Sequence, residues 1–364
     1  MVQSEAAPTD RDARQSRGGP SGPNGGERDV LRSGAGAGRR AYGIQTTGLR
    51  VPEAPKEDTM SKHVLAQNQY GKAENRIVKV TRKGGDGSWH EIRDLNVSVA
   101  LRGEFRDVHL TGDNANCLPT DTTKNTVYAF GKEHGIASPE AFGILLAKHF
   151  VSSQSPIREA QIRIEEYAWE RIPVPTRKEQ HSFVRKGQEV RTAQITYSET
   201  TGLQVISGLQ DLTVMNSTNS EFHGYIKDKY TTLKEAYDRI LATKVTARWA
   251  HSALAGDDTS YDWDQSYKKV RKNMLEAFAE TYSYSLQQTL NQMAERVLDH
   301  CPRVNEVRLN LPNKHHFLVD LEPFGLKNDN EVYFAADRMY GLIEGTVHRD
   351  GVQPVIATSD WIVA

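Results

Sequence analysis

From residue 70 to residue 348 the chain runs twice through one order of elements: strand, strand, helix, helix, strand, strand. That order restricts the fold more than any single motif does. Residues 76–82 (RIVKVTR) and 92–101 (IRDLNVSVAL) alternate apolar and polar side chains, as strands with one buried face do. Asp86-Gly87 lies between them as a turn signal. Residues 123–135 read as a helix closed by glycine. Ser138-Pro139-Glu140 opens another, with a capping serine, a proline at the first helical position and an acid in the first turn. Extended segments at 159–170 and 181–198 complete the first round. The second round holds an extended run at 203–215, a short extra helix at 232–241, and a strand at 244–251 (KVTARWAH). Helices at 267–279 and 285–300 follow, the latter with Leu286, Leu290, Met293 and Val297 at helical spacing. Extended runs at 304–311 and 331–348 close it.

Two ββααββ units predict an α+β fold of antiparallel strands with helices on one sheet face. Two sheets of four strands would leave long edges and an uncovered face, so an oligomer is expected. The expected boundaries are a disordered tail over 1–60, a first unit over 61–200, a second over 201–350 and a C-terminal tail over 351–364. The first boundary rests on composition: the first 50 residues hold 10 of the 28 glycines and almost no aromatic residues. Such a segment cannot bury enough apolar surface to offset the entropy of ordering.

Charge and cysteine content narrow the function. A balance of 46 basic against 47 acidic residues lacks the basic excess of a nucleic-acid-binding protein. Two cysteines exclude a disulfide framework and a cysteine-built zinc site. Gly34-Ala35-Gly36-Ala37-Gly38 has no strand before it and no helix after it, so it is no dinucleotide loop. No metal motif and no membrane-spanning apolar run is present. The chain ends Trp361-Ile362-Val363-Ala364 rather than in a peroxisomal Ser-Lys-Leu, and no apolar signal region precedes the body, so a cytoplasmic location is expected.

Several polar clusters stand out, each with a plain structural explanation. Thr122 and Thr123 suit helix capping. Phe222, beside Ser217-Thr218-Asn219-Ser220-Glu221, suits core packing. Arg239 suits a helix surface, paired with Glu235 at i,i+4. Residues 310–317 (NLPNKHHF) suit a turn. Lys72, just before the first strand, and Gln287, at a helix start, suit solvent.

Taken together these clusters resemble the urate oxidase (uricase) family. The resemblance rests on Tyr70-Gly71-Lys72, Thr120-Asp121 followed by Lys124-Asn125-Thr126, the run at 208–222 (GLQDLTVMNSTNSEF), Tyr230-Thr231-Thr232-Leu233-Lys234-Glu235, Asp238-Arg239-Ile240-Leu241 and Leu311-Pro312-Asn313-Lys314-His315. It implies two tandem T-fold units per chain and a tunnel-shaped homotetramer with sites at subunit interfaces. It also implies oxidation of urate by O2 to 5-hydroxyisourate and H2O2, with no cofactor and no metal. Lys72, Thr120 and His315 would handle protons, a lysine serving as base only where burial or a nearby cation lowers its pKa. Arg239 would hold the purine carbonyl and ring nitrogen, Gln287 the opposite edge, and Phe222 would stack on the ring. Leu286 would give a backbone contact, Asn313 would face the oxygen and water site, and Asp121 would orient the Thr120 loop. Alternatives are another T-fold enzyme acting on a pterin or guanine-like ring, often metal-dependent, and an inactive purine-binding homologue. The absence of a Cys/His ligand set weighs against the first, and the presence of Lys72, Thr120 and His315 against the second.

Overall fold

The computed structural model describes residues 63–84, 88–176, 180–252 and 261–358. The tail over 1–60 and the Asp86-Gly87 turn lie outside the described residues. Eight strands, β1 (Tyr70–Lys83), β2 (Trp89–Gly103), β3 (Ile157–Arg171), β4 (Phe183–Ser198), β5 (Gly202–Asn216), β6 (Leu241–His251), β7 (Val304–Leu318) and β8 (Tyr333–His348), pair antiparallel in chain order. Helices α1 (Arg106–Leu110), α2 (Thr120–Glu133) and α3 (Pro139–Ser153) lie between β2 and β3. Helices α4 (Trp263–Glu280) and α5 (Leu286–His300) lie between β6 and β7. Their starts follow from local chemistry. Ser138, Asp262 and Ser285 each accept a backbone N–H three residues on, which satisfies a donor the helix leaves open. No helix among the described residues is long and apolar enough to cross a membrane.

Alternation along the strands builds two cores on one side of the sheet. Leu95, Val97 and Val99 of β2, Ile162 of β3 and Ile195 of β4 pack with Phe142, Leu146 and Phe150 of α3. Gly143 permits that close approach, because a Cβ there would lie 2.5 Å from Ile195 Cδ1. Leu209 of β5, Trp249 of β6 and Leu309 of β7 pack with Met274 and Phe278 of α4 and with Met293 and Val297 of α5. Val205 serves the first core and Leu209 the second. Four residues apart on one strand they share a face, so the helices of both halves cover the same side. The alternate positions, among them Asn96, Ser98, Arg163, Gln194, Thr246 and Arg248, form a mainly polar opposite face, interrupted by a small buried cluster of Ile206, Ala250 and Ile356.

Three expectations need correction. There are not two sheets of four strands: β4 pairs with β5 from Val190–Gln210 to Ser198–Gly202, which fuses the halves into one sheet of eight. Residues 232–241 form no helix. Their backbone is committed elsewhere: Ala236 exchanges two hydrogen bonds with Phe222 at 2.7 and 3.0 Å, and Arg239 N–H donates to Ser220 O at 2.9 Å. Residues 310–317 are not a turn but the continuation of β7. Pairing with β6 lapses between Asn310 and Asn313, where Pro312 has no N–H to give, while β8 still pairs alongside. Helix α1 has no counterpart in the expected element order.

A buried ionic cluster lies between the two cores. Arg191 of β4 donates to Glu140 of α3 and to Asp264 of α4, each at 2.6 Å, and reaches Glu166 of β3 at 3.4 Å. Arg93 of β2 bonds Glu166 at 2.6 Å and also pairs with Asp264. Ser207 of β5 donates to Glu140 at 2.7 Å and lies 3.0 Å from His251 Nε2. Ser207 has one proton, spent on Glu140, so Nε2 of His251 is the donor and Nδ1 the bare nitrogen. Nδ1 indeed has no hydrogen-bond partner among the described residues. Burial pushes the Glu140 carboxyl up, against the pull of Arg191 and Ser207. Asp264 is held below its ordinary value, because bonds from Arg191 and Arg93 outweigh the burial that would raise it.

His251 supplies a pH test of this cluster. Burial, followed by the Arg191 and Arg303 charges, pushes its pKa down to about 3. The unfolded chain takes up a proton near pH 6.5, whereas the folded chain does not until about pH 3. Between those values the unfolded state binds more protons, so stability falls as pH falls. From pH 7 to pH 5 this group should remove about 2 kcal/mol. Urea unfolding at the two pH values measures the loss, which His251→Gln should largely abolish.

Candidate active site

The segment between β5 and β6 folds back on itself and carries Phe222 and Arg239. The two-bond bridge from Phe222 to Ala236 makes it a small hairpin, with Tyr225 stacked on Phe222 at 5.1 Å between centroids. The Arg239 guanidinium stands over the Phe222 ring, 5.3 Å from its centroid, and its Nε donates to Ser220 Oγ at 3.1 Å. Burial lowers the Arg239 pKa, and no carboxylate among the described residues pairs with it. Asp238 and Glu221, the acids directly before Arg239 and Phe222, are engaged elsewhere. Asp238 accepts from Thr218 Oγ1 at 2.9 Å, and Glu221 accepts from the Tyr282 hydroxyl and lies 2.9 Å from His223 Nε2. The expected Arg239–Glu235 pair does not form, because Glu235 binds Lys227 at 2.9 Å. Among the described residues, a half-buried guanidinium over an aromatic face is therefore left with its Nη groups and its charge uncommitted.

The same segment is pinned to the start of α5. Glu221 N–H donates to Ser283 O at 2.7 Å, and Ser283 N–H donates to Asn219 O at 2.9 Å. Ser285 then caps α5, spending its hydroxyl on Gln288 N–H. Leu286 and Gln287 are the first two residues of that helix, so their own N–H groups have no intrahelical partner. Leu286 is buried in the second core, whereas the Gln287 side chain is exposed. The end of a 15-residue helix adds a partial positive charge to this region. On β7, Asn313 pairs with Thr243 of β6 and Gly341 of β8, and His315 lies two residues on. Burial first, then the Arg239 and His316 charges, lower the His315 pKa, which shows Arg239 within electrostatic reach. Phe222, Arg239, Gln287 and His315 thus belong to one end of the sheet.

Lys72, Thr120 and Asp121 form a second group. Lys72 lies inside β1, not before it, opposite Val99. A bulge follows at once, held by buried Asn75, whose Nδ2 donates to Lys72 O at 3.1 Å and Val97 O at 2.8 Å. Bulges of this kind re-aim a neighbouring side chain. Gly71 is required there, because a Cβ would fall 1.9 Å from Val99 O. Tyr70 Oη accepts from Leu118 N–H at 2.8 Å, which ties the Leu118-Pro119-Thr120 turn to the start of β1. Thr120 is the first residue of α2, and its side chain is exposed. Asp121 binds Lys124 at 2.5 Å and Asn125 at 3.0 Å. The Lys124 bond and charge hold its carboxyl below the ordinary value, with the Lys72 ammonium adding to the effect. Neither Thr122 nor Thr123 caps α2: Thr123 is fully buried and Thr126 donates to Thr122 O.

No hydrogen bond, ion pair or ring contact among the described residues joins the two groups. Lys72 is on β1 and His315 on β7, six strand steps apart, about 29 Å along the sheet. Sequence reasoning missed Ser220, Ser283 and Tyr282, which position the Arg239 segment. Their only signal is that Ser220 falls within the Ser217–Phe222 polar run. Among the described residues no group of three or more His, Cys, Asp or Glu side chains is arranged to hold a metal ion.

Comparison with known proteins is direct. A family model described as Uricase matches residues 68–196 and 205–344. A uricase of Arthrobacter globiformis is 48% identical over 293 residues, 80% of this chain and 92% of the relative. One from Dictyostelium discoideum is 39% identical over 287 residues, 78% and 97% of the two chains. The crystal structure of the Arthrobacter globiformis uricase superposes with a TM-score of 0.75 at 48% identity, covering 81% of this chain and 98% of the other. A uricase from Bacillus fastidious, 24% identical, shares the fold with a TM-score of 0.66 over 78% and 94% of the two chains. With its element order, its motif residues and these matches in agreement, the chain belongs to the uricase family.

Proposed function

We propose that the chain is a urate oxidase, converting urate, O2 and water into 5-hydroxyisourate and H2O2. The observation that carries the reading is the uncommitted Arg239 guanidinium over the Phe222 ring, beside the open start of α5. An anionic, planar heterocycle satisfies all three features at once. Its carbonyl and ring nitrogen take the two Nη groups, its face takes Phe222, and its far edge takes the Gln287 amide and the Leu286 and Gln287 N–H groups. The helix end favours the negative charge. Urate enters as a monoanion. Lys72, acting through Thr120, removes a further proton, and the electron-rich dianion passes two electrons to O2. Water then adds to the oxidised ring and gives its proton to the same relay, with His315 extending it. Asn313 faces the oxygen and water site, and Asp121 orients the turn that carries Thr120.

The site assembles from two subunits. The separation of the Lys72 and Arg239 groups across the sheet supports this, because one chain holds each half of the site at a different end. The polar face left uncovered by helices and the open edges at β1 and β8 support a closed homotetramer around a tunnel, each chain contributing two tandem T-fold units over 61–200 and 201–350.

Two results test these assignments. Fall of the urate ultraviolet absorbance with release of peroxide measures turnover. Lys72→Met and Thr120→Ala should each lower the rate by about 10²–10⁴, and the double variant should be little worse than either. Strict additivity would place the base elsewhere. Thr120→Ala and Arg239→Ala chains, each inactive alone, should regain partial activity when co-assembled. Absence of recovery in verified mixed oligomers would put the whole site within one chain.

A further inference from the structure

We infer that a buried serine pair, Ser220 and Ser283, sets the rotation of the Arg239 guanidinium and its spacing from Gln287, making Ser220 a positioning residue for substrate binding. This rests on the proposed role of Arg239. Both serines are completely buried. Ser220 holds Arg239 at two points: its carbonyl accepts the Arg239 N–H at 2.9 Å, and its hydroxyl accepts Nε at 3.1 Å. The first bond fixes where the side chain starts. The second stops rotation about the Cδ–Nε bond and turns the Nη edge outward. That edge carries the parallel N–H pair a carbonyl and an adjacent ring nitrogen can accept.

Ser220 is in turn bridged to Ser283 through the backbone bonds on either side of it. The Ser283 hydroxyl is committed inside the first turn of α5. It donates to Ser285 O at 3.1 Å and accepts from buried Thr289 Oγ1 at 2.8 Å. An unbroken path of short bonds therefore runs from the Arg239 guanidinium to the helix start that presents Gln287. The Tyr282 hydroxyl, bonded to Glu221, braces the same junction and keeps that carboxylate from pairing with Arg239. Small hydroxyl residues suit both positions, because each must bond within a space that admits no solvent.

Binding of urate under anaerobic conditions, where no turnover occurs, isolates this role. Ser220→Ala should raise the urate Kd about tenfold, with kcat in air changed much less and thermal unfolding little moved. Ser220→Thr, which keeps the hydroxyl, should recover most of the affinity. In an Arg239→Ala background, Ser220→Ala should add nothing. Normal urate binding by Ser220→Ala, or an equal loss with and without Arg239, would overturn the inference. Normal binding by Arg239→Ala would instead overturn the pocket assignment on which it rests. Ser283→Ala should weaken urate binding as well, and if that variant does not fold, the Ser220 series alone decides.

Discussion

Arg191 stands where every layer of the molecule meets. It projects from β4 between the two cores and binds carboxylates from α3, α4 and β3 at once, while Ser207 and His251 close the cluster from β5 and β6. Each helix layer is thereby located on the sheet by a charge as well as by its apolar face. Ion clusters of this kind are not strong net stabilisers, because desolvation offsets most of the attraction. Their effect is on geometry: a sliding helix would leave a buried charge unpaired, at a cost of about 3–5 kcal/mol. The apolar contacts tolerate small shifts that the charges do not.

That constraint bears on function through distance. The fused sheet places β1 and β7 far apart and holds them there, so the Lys72 group and the Arg239 group are each well formed but separate. Each group is organised locally. A bulge and a buried asparagine aim Lys72, and Tyr70 ties down the turn that leads to Thr120. A small hairpin, two serines and a helix cap aim Arg239 and Gln287. Such local organisation suits the proposed completion of the site by association, because neither half would need to reorder on meeting the other.

Residues with side chains in unusual company are the readable part of the candidate site. Arg239, Phe222, Lys72 and His315 were all picked out by motif, yet their surroundings were misjudged from sequence. Arg239 looked like a helix-surface arginine paired with Glu235, because i,i+4 spacing suggests that pairing wherever a helix is assumed. The backbone bonds to Phe222 and Ser220 remove the helix, and with it the pair. Pro312 suggested a break in β7, but a proline is tolerated where one neighbouring strand does not need its N–H. Glu140 read as a first-turn acid stabilising a helix end, and it is fully buried against Arg191. In each case a local rule was overridden by a partner distant in sequence.

By itself the sequence determined most of the elements: where strands alternate, where Ser138 and Pro139 start a helix, and which motifs make the chain similar to urate oxidases. These are set by interactions spanning a few residues, and such interactions are written in spacing. Tertiary structure alone decided that the halves share one sheet, that Arg191 joins the layers, and that Arg239 has no acid paired with it among the described residues. The last two outcomes depend on which residues meet across separations of 19 to 73 positions, as in Ser220–Arg239 and Arg191–Asp264. No local pattern encodes such meetings, because they follow from register, twist and the exclusion of water once the whole sheet has closed.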